Sequence, residues 1–135
     1  MSARGVGNLT IVEGTINAMK YQEILTSQLL PSIPDLQTTE GEYLFQQDGT
    51  SCHTAKSTKK WFVNNSVPVI PWPSSSPDLS PIESLCGIMK REHKRNPVRS
   101  ITELKEKLKN IWQSISPECC QKAALVAATL KLWST

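Results

Sequence analysis

The chain has 135 residues, enough for one domain with one modest core. Fifteen Lys and Arg against twelve Asp and Glu give a net charge of +3, a mildly basic balance that permits a nucleic-acid partner without requiring one. Four cysteines (Cys52, Cys86, Cys119, Cys120) form no C-x-x-C pair and no framework spacing, so they do not suggest a disulfide scaffold, and a reducing intracellular setting is the simpler reading.

The opening MSARGVGNLTIVEG has no sustained apolar run and does not read as a secretory leader, and no later stretch is apolar for long enough to span a membrane. Leu9–Val12 is short, β-branched and closed by Glu13-Gly14, which predicts a strand. Thr15 can cap a helix reaching about Leu30, with Ile16, Met19, Ile24 and Leu25 near one face; Pro31 and Pro34 are expected to end it. Tyr43–Gln47 reads as a second strand. Thr54–Asn65 reads as a helix with Ala55, Thr58, Trp61 and Phe62 on one side. Val67–Ile70 is a third short strand, and Pro68 argues for an edge or a strand start.

The run PWPSSSPDLSP carries four Pro in eleven residues and predicts a rigid extended loop. Ser80-Pro81-Ile82-Glu83 matches a capping box with Pro at the first helical position. The helix it opens runs to about Arg95 and stops before Pro97. Ser100-Ile101-Thr102-Glu103 is a second box, opening a helix with Ile101, Leu104, Leu108, Ile111 and Trp112 at helical spacing. Ser116-Pro117 opens the last helix, which reaches Trp133. The order β-α-β-α-β-α-α-α predicts an α/β core followed by a helical tail.

Two carboxylates stand out, with thirty-four residues between them: Asp48 at a strand end and Glu83 at a helix start. A carboxylate at the carboxyl end of a strand lies where α/β folds build their sites. Carboxylates on two elements can hold a divalent cation. Each also has an ordinary structural reading. Asp48-Gly49 is a common turn. Glu83 can bond back to the backbone of Ser80. Cys52-His53 lacks further ligands at zinc spacing, and His93 reads as a solvated helix residue. Lys90, Arg91, Lys94 and Arg95 put positive charge on the helix behind Glu83. They serve either as a solvated face or as contacts to DNA phosphates. Lys56, Lys59 and Lys60 can add to the same field.

Taken together, FQQDGTSCHTA and WPSSSPDLSPIESLC resemble the Tc/mariner transposase motifs FQQDNAPxHxA and WPxxSPDLNPIENLW, at matching spacing. A looser resemblance extends from about Gly5 to Ser116. It implies an α/β, RNase H-like domain over residues 1–96 and a helical tail over 97–135. It further implies DNA cleavage and strand transfer with two Mg²⁺ (or Mn²⁺) ions held by an Asp-Asp-Glu triad. Asp48 stands at the second acid and Glu83 at the third. DNA is the partner implied, with self-association or pairing with a full-length transposase as a further expectation. No membrane or small-molecule substrate is expected, and the resemblance implies a nuclear location.

The chain departs from the family pattern at several places. The family's first Asp, its central first strand and its helix-turn-helix region lie upstream of the segment resembling GVGNLTIVEGTIN, which here begins close to Met1. The expectation is therefore an N-terminally truncated, incomplete mixed sheet without autonomous catalysis. Gly49, Ser51, Ser80, Ser84 and Cys86 stand where the family has Asn, Pro, Asn, Asn and Trp.

Overall fold

A computed structural model of the chain describes residues 1–37, 43–71 and 80–134, with side chains as far as residue 125. The chain divides into two compact units, Thr10–Ser76 and Met1–Leu9 with Pro77–Thr135.

The Thr10–Ser76 unit begins with helix α1 (Ala18–Ile24), a π-helical turn (Leu25–Leu29) and α2 (Leu30–Leu36) in continuous succession. Asn17, not Thr15, is the cap: its Oδ1 accepts from Lys20 N at 2.8 Å. A short polar side chain in extended backbone is well suited to this position. Pro31 and Pro34 do not end the helix, contrary to the sequence expectation. Pro31 lacks an N–H and its ring crowds the preceding turn. The helix widens there instead, and Leu30 N bonds to Leu25 O. Such π turns are a known way of absorbing a local misfit. Ser32 Oγ donates to Gln28 O at 2.6 Å and is buried.

The buried face of this helical stretch is Tyr21 and Leu25, backed by Leu29, Leu30 and Ile33. Met19, expected on that face, is 70% exposed, and Ile16 is also exposed. The next helix is broken in two, α3 (Ser51–Thr54) and α4 (Lys56–Asn64), because Ala55 adopts extended ψ. As expected, Thr58 and Phe62 are buried, and Trp61 packs on the same cluster. Thr58 is fully enclosed, and its hydroxyl donates to Cys52 O at 2.8 Å, which satisfies both groups. Cys52, Phe62 and Val67 complete this core, with Tyr21 and Leu25.

α4 ends in a Schellman turn. Val67 N bonds to Phe62 O at 3.0 Å and Ser66 N to Val63 O at 3.1 Å. Ser66 stands at φ 55°, the left-handed position glycine usually fills. The turn delivers the chain into Val67–Ile70, where Phe45 and Val69 form a parallel bridge. Phe45 N donates to Pro68 O at 2.8 Å, and Ile70 N to Phe45 O at 2.9 Å. The two segments expected to be strands are thus paired, but through a single bridge. Leu9–Val12 forms no strand, because a strand requires a ladder and no partner stands beside it among the described residues. The PWPSSSPDLSP expectation falls on residues 72–79, outside the described ones.

The other unit is built on α5 (Pro81–Arg95), α6 (Ile101–Ser114) and α7 (Pro117–Ser134). Ser80 forms no side-chain cap, so the first expected capping box does not close; Glu83 N instead bonds to Ser80 O at 3.1 Å. The second box closes in its forward half, and its return bond goes to the residue before the cap. Ser100 Oγ accepts from Glu103 N, and Glu103 Oε2 accepts from Arg99 N, both at 3.1 Å. Leu85 is fully buried against Trp112, Ile115, Cys120 and Ala123. Trp112 Nε1 donates to Gly7 O at 2.9 Å and ties the N-terminal segment to α6. Ile101, expected on the apolar face of α6, is 73% exposed. It is the first residue of the helix. Lys107 Nζ donates to Asn96 O across the α5–α6 connection. All four cysteines are free thiols. Among the described residues, no helix is long and apolar enough to cross a membrane.

Leu85→Ala should destabilise the protein by about 2–5 kcal/mol, the range for a fully buried leucine, and Met19→Ala by less than about 0.5 kcal/mol. Urea unfolding of the two variants checks the contrast. Ser66→Gly relieves a left-handed backbone costing about 1 kcal/mol or more, partly offset by the greater freedom of glycine in the unfolded chain. A gain of a few tenths to about 1 kcal/mol is expected in the same measurement.

Candidate functional site

Asp48 follows the Phe45 bridge segment and precedes α3. Its side chain is 69% exposed, and its contacts are local. Thr50 N donates to Oδ1 at 3.0 Å, closing an Asx turn, and His53 Nδ1 lies 2.6 Å from the same oxygen. Oδ2 takes part in neither contact. The turn reading is therefore realised: the turn uses Oδ1 of the carboxylate. Hydrogen bonds from Thr50, its side chain first and then its backbone, hold the Asp48 carboxyl below the usual carboxylate range, and His53 adds to the effect. An ionised carboxylate only accepts, so Nδ1 of His53 must carry the proton in this contact.

His53 is held in turn. Its ring lies against that of Tyr21, with centroids 4.2 Å apart and planes tilted by 33°. Its carbonyl accepts from Gln47 Nε2 at 3.1 Å, and Gln47 Oε1 accepts from the Tyr21 hydroxyl at 2.9 Å. Burial is the main cause that pushes the Tyr21 hydroxyl well above its ordinary value of 10.0, with Cys52 and Asp48 adding to it. Neither Tyr21 nor Gln47 is singled out by motif reasoning. A signal existed for Gln47: it shares a strand face with Phe45, two residues away, and a polar side chain on a buried face needs a partner. Tyr21 carried no comparable signal. Cys52, although next to His53, turns into the apolar core.

Glu83 lies in the first turn of α5, in the other compact unit, and is exposed. With no closed capping box, its charge serves the helix N-terminus electrostatically. It also acts on Cys86, whose thiol is pushed up first by burial and then by this carboxylate. Lys90, Arg91, Lys94 and Arg95 are all exposed along the second half of α5. Arg95 pairs with Glu92 at 2.7 Å. His93, expected to be solvated, is half-buried, and its Nδ1 is enclosed without a hydrogen-bond partner. The charge is unevenly distributed along the chain. Eleven of the fifteen Lys and Arg, but only six of the twelve Asp and Glu, belong to the unit containing α5.

Asp48 fits a hard divalent cation in donor type, being ionised, exposed and oxygen-only. Glu83 is likewise an exposed carboxylate. Among the described residues, no group of three or more His, Cys, Asp or Glu is gathered to hold a metal ion.

Residues 1–105 match the sequence profile of the DDE superfamily endonucleases. The chain belongs to that family. It is 30% identical to the transposable element Tcb2 transposase of Caenorhabditis briggsae over 114 residues, which is 84% of this chain and 41% of that protein. It is 31% identical to the transposable element Tc3 transposase of Caenorhabditis elegans over 111 residues, 79% of this chain and 32% of that protein. This DDE-family chain thus spans about a third to two fifths of the length of these Tc1/mariner relatives. Its fold is that of the Mos1 transposase catalytic domain. A structure of that domain with raltegravir and Mg superposes with a TM-score of 0.79 at 22% identity, covering 90% of this chain and 64% of that one. The Mos1 mariner paired end complex with Mn gives a TM-score of 0.73 at 23% identity, covering 90% and 37%.

The raised Tyr21 ionisation makes a pH prediction with a definite sign. A hydroxyl that ionises later in the folded chain than in the unfolded one supports folding below pH about 10, and that support fades as pH climbs above it. Tyr21→Phe should cost about 1 kcal/mol at neutral pH, from the lost bond to Gln47, and should flatten the alkaline decline. Urea midpoints between neutral pH and pH about 11 check both effects.

Proposed function

We propose that this chain forms part of a DNA strand-cleaving and strand-joining centre. Asp48 and Glu83 are two of its carboxylate ligands for Mg²⁺ or Mn²⁺. The observation that carries this reading is the state of Asp48 in a DDE-family chain: an exposed carboxylate, held below the usual carboxylate range and fixed at Oδ1 by Thr50 N and His53 Nδ1. When bound, a divalent ion supplies Lewis acidity at the phosphodiester and stabilises the leaving oxygen. The chain's own residues bind and orient. Asp48 offers Oδ2, Glu83 offers its carboxylate from the first turn of α5, and Lys90, Arg91, Lys94 and Arg95 engage backbone phosphates.

The similarity to a protein solved in a paired end complex with Mn supports DNA and a divalent metal as partners. In this reading the chain acts in the nucleus and associates with a second transposase copy. In this reading residues 1–96 belong to an RNase H-like core whose central first strand is not among them, and 97–135 form a helical tail. A two-metal centre needs a third acid beyond Asp48 and Glu83, so the purified chain is expected not to nick DNA unaided.

Plasmid nicking with Mn²⁺, and Mn²⁺ binding by calorimetry, test the proposal. Asp48→Asn and Glu83→Gln should each weaken Mn²⁺ binding by about tenfold or more. Binding that is unchanged in both variants would sink the site assignment. Nicking by the wild-type chain that both variants abolish would support the two acids and overturn the need for a third. DNA affinity should fall with rising salt, and replacing Lys90, Arg91, Lys94 and Arg95 by Ala should flatten the log–log slope by roughly 0.9 for each phosphate no longer neutralised. An unchanged slope removes α5 from the DNA interface.

A further inference from the structure

We infer that His53 is a positioning residue for Asp48, and that Tyr21 and Gln47 set His53 in place. The inference rests on the reading of Asp48 as a metal ligand, but its geometry does not. An aspartate side chain 69% exposed to solvent ordinarily exchanges between rotamers. Here the Asx turn to Thr50 and the 2.6 Å contact with His53 Nδ1 converge on the same oxygen. Together they hold the carboxylate in one orientation, with Oδ1 turned back toward α3 and Oδ2 remaining as its presenting oxygen.

His53 can restrain Asp48 only if it is itself restrained, and it is held at two points. The ring packs against that of Tyr21 at a tilt of 33°, and the backbone carbonyl takes the Gln47 amide. The far end of Gln47 takes the Tyr21 hydroxyl. Tyr21 is therefore the common anchor of ring and backbone, and it is buried in the core with Leu25, Cys52, Phe62 and Val67. The path runs from packed core to exposed carboxylate through three side chains. Groups that orient a ligand without touching the metal commonly determine how well it binds.

The test measures the Asp48 side chain itself. In the isotopically labelled full chain, three-bond couplings across χ1 of Asp48 should report one rotamer. His53→Phe keeps a ring against Tyr21 and removes the nitrogen, so Asp48 should average over rotamers in it. His53→Ala should do the same. His53→Asn, which returns an N–H close to the place of Nδ1, should restore the single rotamer. If His53→Ala does not fold, His53→Phe decides alone, because its packing is retained. An Asp48 that keeps one rotamer in His53→Phe overturns the inference.

A second readout uses Mn²⁺ alone and follows paramagnetic broadening of the Asp48 carboxyl signal. The Mn²⁺ concentration needed should rise roughly tenfold in His53→Phe and return to within about twofold of wild type in His53→Asn. Broadening absent from the wild-type chain, with the expected couplings, would remove Asp48 as a metal ligand and leave its positioning by His53 intact. Broadening present, with couplings indifferent to His53, would do the reverse.

Discussion

The buried hydroxyl of Tyr21 constrains its whole unit. An aromatic ring in the core stabilises by the area it removes from water, but a phenolic oxygen carried with it must find a partner or cost a few kcal/mol. Gln47 is that partner. The requirement fixes α1 against the segment that ends in Asp48, and it fixes Gln47 in the rotamer that reaches the carbonyl of His53. The apolar face of α1 and the polar surroundings of Asp48 are thus one structure. The helix cannot rotate to bury Met19 in place of Tyr21 without abandoning the contacts that hold His53.

The second unit solves a different problem. Its α5 must keep Leu85 enclosed while carrying Glu83 at one end and four exposed cations at the other. The axial order suits the helix dipole, with an acid in the first turn and His93, Lys94 and Arg95 in the last. Leu85, packed on Trp112 and Cys120 and flanked by Ile82, Ile88 and Met89, gives α5 one apolar face and leaves the opposite face to charge. The concentration of Lys and Arg in this unit makes it the side of the chain better suited to a polyanion.

Much of the helical content was legible in the sequence. The Ser100 cap, the Pro81 start and the Thr58–Phe62 face follow from local chemistry, and local chemistry is what they use. The Ser80 box has the same letters but does not close, because Glu83 N finds the Ser80 carbonyl instead of its hydroxyl. The proline pair in α2 was misleading for a related reason: proline forbids one hydrogen bond, yet a wider turn can carry the helix past it. Leu9–Val12 failed as a strand because strand propensity describes a surface that needs a neighbour, and propensity does not supply the neighbour.

The sequence by itself determined the family, through two motifs of unusual composition at a set spacing, and it singled out Asp48 and Glu83 as candidate acids. It also determined most helix starts, because caps and prolines act within four residues of themselves. Only the tertiary structure decided how Asp48 is held. The contact with His53 spans five residues and was within reach of the eye, but the anchor, Tyr21, lies twenty-six residues from Gln47. No periodicity or motif links residues so far apart. They meet because a buried hydroxyl, a side-chain amide and the backbone carbonyl of His53 satisfy one another once the core has brought them together.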